Sequence, residues 1–193
     1  MEEKLNDYQK SVLSNGETLR AKLLIYLQKP EAVEYYAKTA EKCFLQGNKD
    51  SFAKVGDWSW WGFFYSWTFL LYRKSENAAL WAIICICLGL FLILFSKTAS
   101  AENASPIIAV VFIVAIWIGC HLGKYSKFYI LKTFVNTLKE SNGDDALLAS
   151  KGGINKIGLV LGILATPFVI IQAIGLISII PGIIYAVLAP RIG

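Results

Sequence analysis

The sequence predicts an all-α integral membrane protein, and three observations support this fold class. Nine of the fifteen residues from Trp58 to Tyr72 are aromatic, and Arg73 and Lys74 follow directly. Three long uncharged stretches come next, whereas residues 1–57 hold nine basic and nine acidic residues. Indole and phenol rings collect where hydrocarbon meets water, and long uncharged stretches favour the hydrocarbon itself. The polar start and the apolar remainder therefore indicate a water-facing part joined to a membrane part.

Residues 1–57 are predicted to form short helices, a cytoplasmic helical module. Apolar residues recur there at helical spacing in three stripes. These are Leu5, Tyr8 and Val12; Leu19, Leu23, Tyr26 and Leu27; and Val33, Tyr36, Ala37, Ala40 and Phe44. Ser14-x-x-Glu17 resembles a capping box, Pro30 separates two helices, and the cluster 47–50 ends the last one. Because this length makes a thin core alone, we expect the module to lean on the membrane or on a partner.

The aromatic segment, residues 58–74, is predicted to be an interfacial or re-entrant helix. A helix over residues 58–72 is ~22 Å long, which is short for a hydrocarbon core of ~30 Å. Ser59, Gly62 and Ser66 form a stripe of small residues opposite bulky side chains. The alternative is a buried helix of a soluble core. The expected membrane-interface anchors are Trp58, Trp60, Trp61, Trp67, Tyr72, Arg73 and Lys74.

The uncharged stretches predict a helical hairpin and a kinked C-terminal apolar block. Residues 78–95 and 107–122 are the two transmembrane helices, joined by the short polar loop 96–105. One straight helix over residues 157–188 reaches ~48 Å, which exceeds a bilayer core. Pro167 and Pro181 permit either a kinked transmembrane helix with an interfacial or re-entrant tail or a tight hairpin. Gly158, Gly162 and Gly182 lie in small-residue rows that favour helix packing in lipid.

Residues 123–156 are predicted to be a cytoplasmic amphipathic helix and loop. Asp144 or Asp145 is expected to cap a short helical turn, which Gly152-Gly153 ends. This loop holds six lysines against three acids, whereas the loop 96–105 holds one of each. In membrane proteins, short loops rich in Lys and Arg stay on the cytoplasmic side. We therefore expect the N-terminus and residues 123–156 inside and residues 96–105 outside. The apolar face of the helix is Tyr125, Phe128, Leu131, Val135 and Leu138.

One family shows a similar order of features. The run Ser59–Lys74, with Glu34-Tyr35-Tyr36 before it and Lys124-Tyr125-Ser126-Lys127 after it, resembles the bacterial family called domain of unknown function 2628. Gly152-Gly153 is also similar, although Ile154 and Asn155 depart from the family's pattern of Gly-Gly-Thr-Ser. The resemblance covers about residues 31–160. It implies a small bacterial inner-membrane protein with paired membrane helices and implies no activity.

The sequence singles out no catalytic, cofactor-binding or metal-binding residue. The apolar stretches hold no Asp, Glu, Lys or Arg, which argues against an ion-driven pump within one chain. Gln172 is the one strongly polar side chain deep in an apolar block, so it is a candidate polar membrane contact. Neighbouring Cys120 and His121 do not face each other on a helix. We expect that the protein is not an enzyme and uses no cofactor. We also expect no nucleic-acid partner, since no clustered basic face stands out in the sequence.

These observations predict a non-enzymatic interaction or assembly protein of the bacterial inner (cytoplasmic) membrane. Its expected partners are the lipid bilayer and either further copies of the chain or another inner-membrane protein. The alternative is an oligomeric channel or transporter subunit, which Gln172 and the proline-broken last block favour. Two further alternatives are an intramembrane or lipid-modifying enzyme using His121 or cytoplasmic acids, and a lipid sensor in which the lysine-rich helix 124–141 and the aromatic segment bind anionic headgroups.

Overall fold

A computed structural model of the chain describes residues 4–78, 80–82, 84, 85, 87, 88, 101–158 and 160. Regular structure within these residues is helical, and the one β-bridge joins Lys4 to Ser51. The all-α prediction is therefore confirmed for the described part of the chain. None of the helices among these residues has both the length and the apolar character needed to span a bilayer.

Six helices have defined bounds. They are α1 (Asp7–Ser14), α2 (Gly16–Leu27), α3 (Pro30–Gln46), α4 (Trp60–Tyr72), α5 (Ala101–Ser141) and α6 (Asp145–Lys151). Residues 78, 80–82, 84, 85, 87 and 88 are also helical. The predicted span 78–95 is therefore described only in its first part, and most of the predicted block 157–188 lies outside the described residues.

Side-chain caps set the starts of α1, α2, α4 and α6, and of these the sequence correctly predicted only the cap of α6, Asp144. Asn6 and Gln9 form a capping box at α1, with Gln9 N donating to Asn6 Oδ1 over 2.7 Å. The predicted box Ser14-x-x-Glu17 is wrong, because the cap of α2 is Asn15, whose side chain accepts from the next helix turn. Asn15 Oδ1 accepts from the N–H groups of Glu17 and Thr18 in the first turn of α2. Ser14 is instead the last residue of α1.

The first three helices share one core with the second half of α5 and with α6. The side chains of Leu19, Leu23 and Tyr26 are buried there, and the Tyr26 and Phe134 rings lie 5.2 Å apart between centroids. Gln9 Nε2 donates to the carbonyl oxygen of Val135 over 2.8 Å. Residues 1–57 therefore pack against a later part of the same chain. The expected support was the membrane or a partner.

Helix α5 is one continuous helix of 41 residues, ~60 Å long. It begins at Ala101, so the predicted loop 96–105 is helical in its second half, and it passes through Gly123 without a break. Its first half exposes Val110, Ile113 and Trp117, whereas Ile130 and Phe134 in its second half are fully buried. Among the side chains that the structure describes, the large apolar ones before residue 118 thus face outward, and most of those from Ile118 onward face inward.

Helix α4 packs closely on α5 through small residues of both helices. Gly62 faces the turn of α5 that holds Leu122 and Ser126, where a Cβ would stand 2.7 Å from the Leu122 carbonyl oxygen. On α5, Gly119 lies against Phe63 and Gly123 against both Phe63 and Trp58. Absence of a side chain at these glycines permits the backbones to approach. This contact fixes the aromatic segment relative to the core.

Candidate functional site

A groove of about 880 Å³ lies between the N-terminal half of α3 and helix α4. Its wall combines the start of the aromatic segment with the first turns of α3. A volume of this size is within the range of small-molecule sites, about 300–1,000 Å³. Eight aromatic side chains line the groove: Tyr35, Tyr36, Trp58, Trp60, Trp61, Tyr65, Phe69 and Tyr72. We call this the aromatic groove.

Arg73 supplies the cation of the aromatic groove. It follows the last residue of α4, and its side chain is enclosed, with only 7% of the residue exposed. The guanidinium carbon Cζ lies 5.7 Å from the Tyr36 ring centroid and 5.3 Å from that of Tyr72. Nε and Nη1 are buried and have no hydrogen-bond acceptor among the described residues. The groove thus holds a buried charge that is met by ring faces.

Neighbouring groups do not neutralise this charge. Burial raises the pKa of the Tyr36 hydroxyl far above its usual value, and the nearby Arg73 works against that rise without cancelling it. Tyr36 is therefore neutral at physiological pH. Glu31 also lines the groove, but it is exposed to solvent and makes no ion pair with Arg73 among the described residues. Lys29 adds a second positive charge, 5.9 Å above the Tyr72 ring.

An ion pair next to the groove holds its walls together. Lys127 Nζ on α5 donates to Oδ2 of Asp57 over 2.7 Å, and Thr39 Oγ1 on α3 donates to the same oxygen over 2.5 Å. Burial alone would raise the pKa of the Asp57 carboxyl, but these two hydrogen bonds together with the positive charges of Lys127 and Lys42 outweigh it and hold the pKa below its usual value. Lys127 Nζ also lies 3.5 Å from the centroid of the Tyr35 ring. Three segments of the chain therefore meet at one carboxylate.

The predicted interface anchors occupy different environments. Trp58, Trp60 and Trp61 are exposed, with 63% of Trp60 accessible, whereas Trp67 and Tyr72 are half-buried. Lys74 is exposed and donates from Nζ to the Gly152 carbonyl oxygen over 2.6 Å. Arg73 differs from the expectation of a surface cation, because its side chain lies inside the groove.

The remaining predicted contacts are only partly described. Gly158 is buried, and a Cβ there would stand 3.2 Å from Leu71, so this glycine does pack against α4. Gly162, Gly182 and Gln172 lie outside the described residues. His121 Nε2 lies 2.9 Å from the Tyr129 hydroxyl, and the His121 ring is tilted against the rings of Trp81 and Trp117. Within the described residues, no group of three or more His, Cys, Asp or Glu side chains has an arrangement suited to a metal ion.

No family model, curated protein or solved structure matches the chain. The resemblance to domain of unknown function 2628 therefore stays a prediction.

Sequence reasoning missed two features of this site. The burial of Arg73 depends on Tyr36, which lies 37 positions earlier in the chain, and helical periodicity within one segment cannot report such a contact. The pair Asp57–Lys127 joins residues 70 positions apart. The available signal was Asp57 itself, an acidic residue immediately before a run of rings, because a charge at such a place needs a partner.

Proposed function

We propose that the chain is a non-enzymatic interaction or assembly protein of the bacterial inner membrane. One observation carries the membrane part of this proposal. The first half of α5 exposes large apolar side chains, with 65% of Ile113 and 60% of Trp117 accessible. Apolar surface of this kind needs a cover of lipid or protein.

The packing also supports the proposed topology. Residues 1–57 and 123–156 are the two parts with cytoplasmic character in the sequence, and they form one core, with Lys22 Nζ 2.5 Å from Asp145 Oδ1. Two parts that pack together must lie on the same side of a membrane. An even number of crossings between them, such as the hairpin of residues 78–95 and 107–122, satisfies this requirement.

Membrane attachment is tested by substitution on α5. Ile113→Lys places a charge on the exposed apolar part of this helix, and Leu45→Lys is the matched control, since Leu45 is 60% exposed on α3. We expect the unaltered chain and Leu45→Lys to remain in membranes after an alkaline wash. Ile113→Lys should reduce the retained fraction several-fold. Release of the unaltered chain by the wash would overturn the proposal.

Assembly is tested by mass. Extraction in a mild non-ionic detergent, followed by mass measurement of the purified complex, should give either several copies of the chain or the chain with another membrane protein. A lone monomer without a co-purifying protein would contradict the interaction function and leave membrane attachment intact. The residues that favour a channel or transporter subunit, Gln172, Pro167 and Pro181, lie outside the described residues, so that alternative stays a prediction.

A further inference from the structure

We propose that the aromatic groove binds an anionic amphiphile, with its oxyanion head on Arg73 and its apolar chain along the rings of α4. This inference rests on the groove itself and goes beyond the proposed assembly function. It would hold equally for a chain that assembles with nothing else.

The charge of the groove selects an anionic head. A buried guanidinium is unfavourable unless it is paired and hydrogen-bonded, and the Tyr36 and Tyr72 ring faces offset only part of that cost. Nε and Nη1 of Arg73 remain without an acceptor among the described residues. A phosphate or carboxylate supplies those acceptors in the planar geometry that a guanidinium prefers.

The start of α3 adds to the preference for an anion. Its N-terminal residue Pro30 follows Lys29, which makes no side-chain capping hydrogen bond to the first turn. Glu31 and Ala32 of that turn line the groove. Pro30 has no N–H group and the Ala32 N–H donates to the Lys29 carbonyl oxygen over 3.1 Å, so the start of α3 contributes chiefly the positive end of its helix dipole, which favours negative charge. Lys29 offsets the opposing charge of the solvent-exposed Glu31 carboxylate.

The walls of the groove select an apolar body behind the head. Trp58, Trp60 and Trp61 lie along one side, and Phe69 lies along the wall toward Arg73 on the same helix. Ring faces bind hydrocarbon without requiring hydrogen bonds from it. A small free anion would leave these rings uncovered, whereas an acyl chain attached to the anion covers them. The combination of one cationic end and an aromatic wall therefore matches an amphiphile.

Tryptophan quenching by brominated chains tests the proposal on the full chain in a neutral maltoside detergent. The probes are 12-bromododecyl phosphate, 12-bromododecanoate and 12-bromododecanol, which share one chain and differ in the head. We expect at least one of the two acids to reach half-maximal quenching at a concentration at least tenfold below that of the alcohol. The acid that binds more tightly shows whether the groove prefers a phosphate or a carboxylate head. Equal quenching by all three probes would overturn the proposal.

Inorganic phosphate separates an amphiphile site from a simple anion site. We expect millimolar inorganic phosphate to displace little of the phosphate probe, because it lacks the chain that covers the rings. Full displacement at a concentration equal to that of the probe would show a free-anion site and overturn the amphiphile assignment.

Substitution of the arginine locates the head. Arg73→Gln should weaken the binding of the tighter acid at least tenfold and leave the binding of the alcohol unchanged. The alcohol measurement also corrects for probe that is dissolved in detergent micelles. Arg20→Gln is the matched control, since Arg20 pairs with Glu34 and Glu41 away from the groove, and it should change neither affinity. Tight binding of both acids to a folded Arg73→Gln variant would overturn the proposal. If that variant does not fold, the comparison of the three probes on the unaltered chain still tests the proposal.

Discussion

Lys127 and Asp57 form an ion pair of 2.7 Å between Nζ and Oδ2, in which the lysine side chain is only 5% exposed. Lys127 belongs to α5, and Asp57 belongs to the segment that leads into α4. The backbone supports the same contact, since Asp57 N donates to the Lys124 carbonyl oxygen over 2.9 Å. This pair therefore sets where the aromatic segment leaves the core, and with it the position of Trp58 at the groove.

Asp57→Asn should destabilise the fold by about 3 kcal/mol, because it leaves the buried Lys127 ammonium without its counter-charge. Denaturant unfolding in a fixed detergent background measures the loss. Lys10 and Asp50 form an exposed pair, so Asp50→Asn is the control and should lower the stability far less than Asp57→Asn. Equal effects of the two substitutions would contradict the structural role of the buried pair. A double variant, Asp57→Asn with Lys127→Met, should recover part of the loss.

The same pair predicts a pH dependence of stability. The folded-state pKa of Asp57 is below its unfolded value of about 3.9, so ionisation favours the folded state. Its contribution is complete above about pH 3.9 and is lost as the pH falls through the lower folded-state pKa. Melting temperatures of the unaltered chain and of Asp57→Asn should therefore converge as the pH drops below 3.9 and stay apart from pH 5 to 7. A difference that is independent of pH down to 2 would show that the carboxylate charge is not the cause.

Gly62→Ala should separate α4 from α5, since its methyl group would overlap Ser126 and stand 2.7 Å from the backbone oxygen of Leu122. Overpacking at such a contact costs about 1–3 kcal/mol of unfolding free energy. The control is Gly16→Ala, where the nearest atom is the mobile end of Arg20 at 3.0 Å. Thermal unfolding followed by circular dichroism compares them. A Gly62→Ala variant as stable as the unaltered chain would show that α4 does not sit this close to α5.

Arg73→Met should raise the unfolding free energy of the ligand-free chain, because replacing a buried unpaired charge with an apolar side chain of similar length contributes about 1–4 kcal/mol before the lost ring contacts are subtracted. Denaturant unfolding in neutral detergent measures the change. The loss of the two ring contacts of Arg73 opposes this gain by about 1–2 kcal/mol. A net loss of stability would mean that those contacts outweigh the desolvation of the guanidinium.

Cysteine labelling tests the topology. In a variant without the four native cysteines, Asn103→Cys in the predicted outer loop should react with an impermeant maleimide in intact cells. Asn48→Cys and Asn142→Cys, both at exposed turns of the core, should react only after the membrane is opened. Protection of position 103, or labelling of position 48 from outside, would refute the orientation.

Local rules in the sequence predicted several helix boundaries. Pro30 begins α3, Gly47 ends it, and Asp144 caps α6, because each rule depends on backbone groups within one turn. Apolar stripes also predicted the inward faces, since Leu19, Leu23, Tyr36 and Phe44 are buried.

Relations between distant segments could not be predicted in the same way. Apolar spacing placed residues 124–141 on a lipid surface as readily as in a core, and only tertiary packing shows that Leu131 and Leu138 face α1–α3. The sequence predicts both Arg73 and Lys74 as membrane-interface anchors and does not separate them. The rings of Tyr36 and Tyr72 distinguish Arg73, and they come together only when α3 and α4 pack.

Shared packing between the first helices and α5 has a consequence for biosynthesis. Residues 1–57 leave the ribosome long before residue 118. The core around Leu23 and Tyr26 is therefore incomplete until α5 has been translated. The apolar faces of residues 1–57 stay uncovered until the 84 residues from 58 to 141 have been added. Chaperones that shield nascent chains are therefore expected to act on its amino-terminal third, and their depletion should lower the yield of folded product.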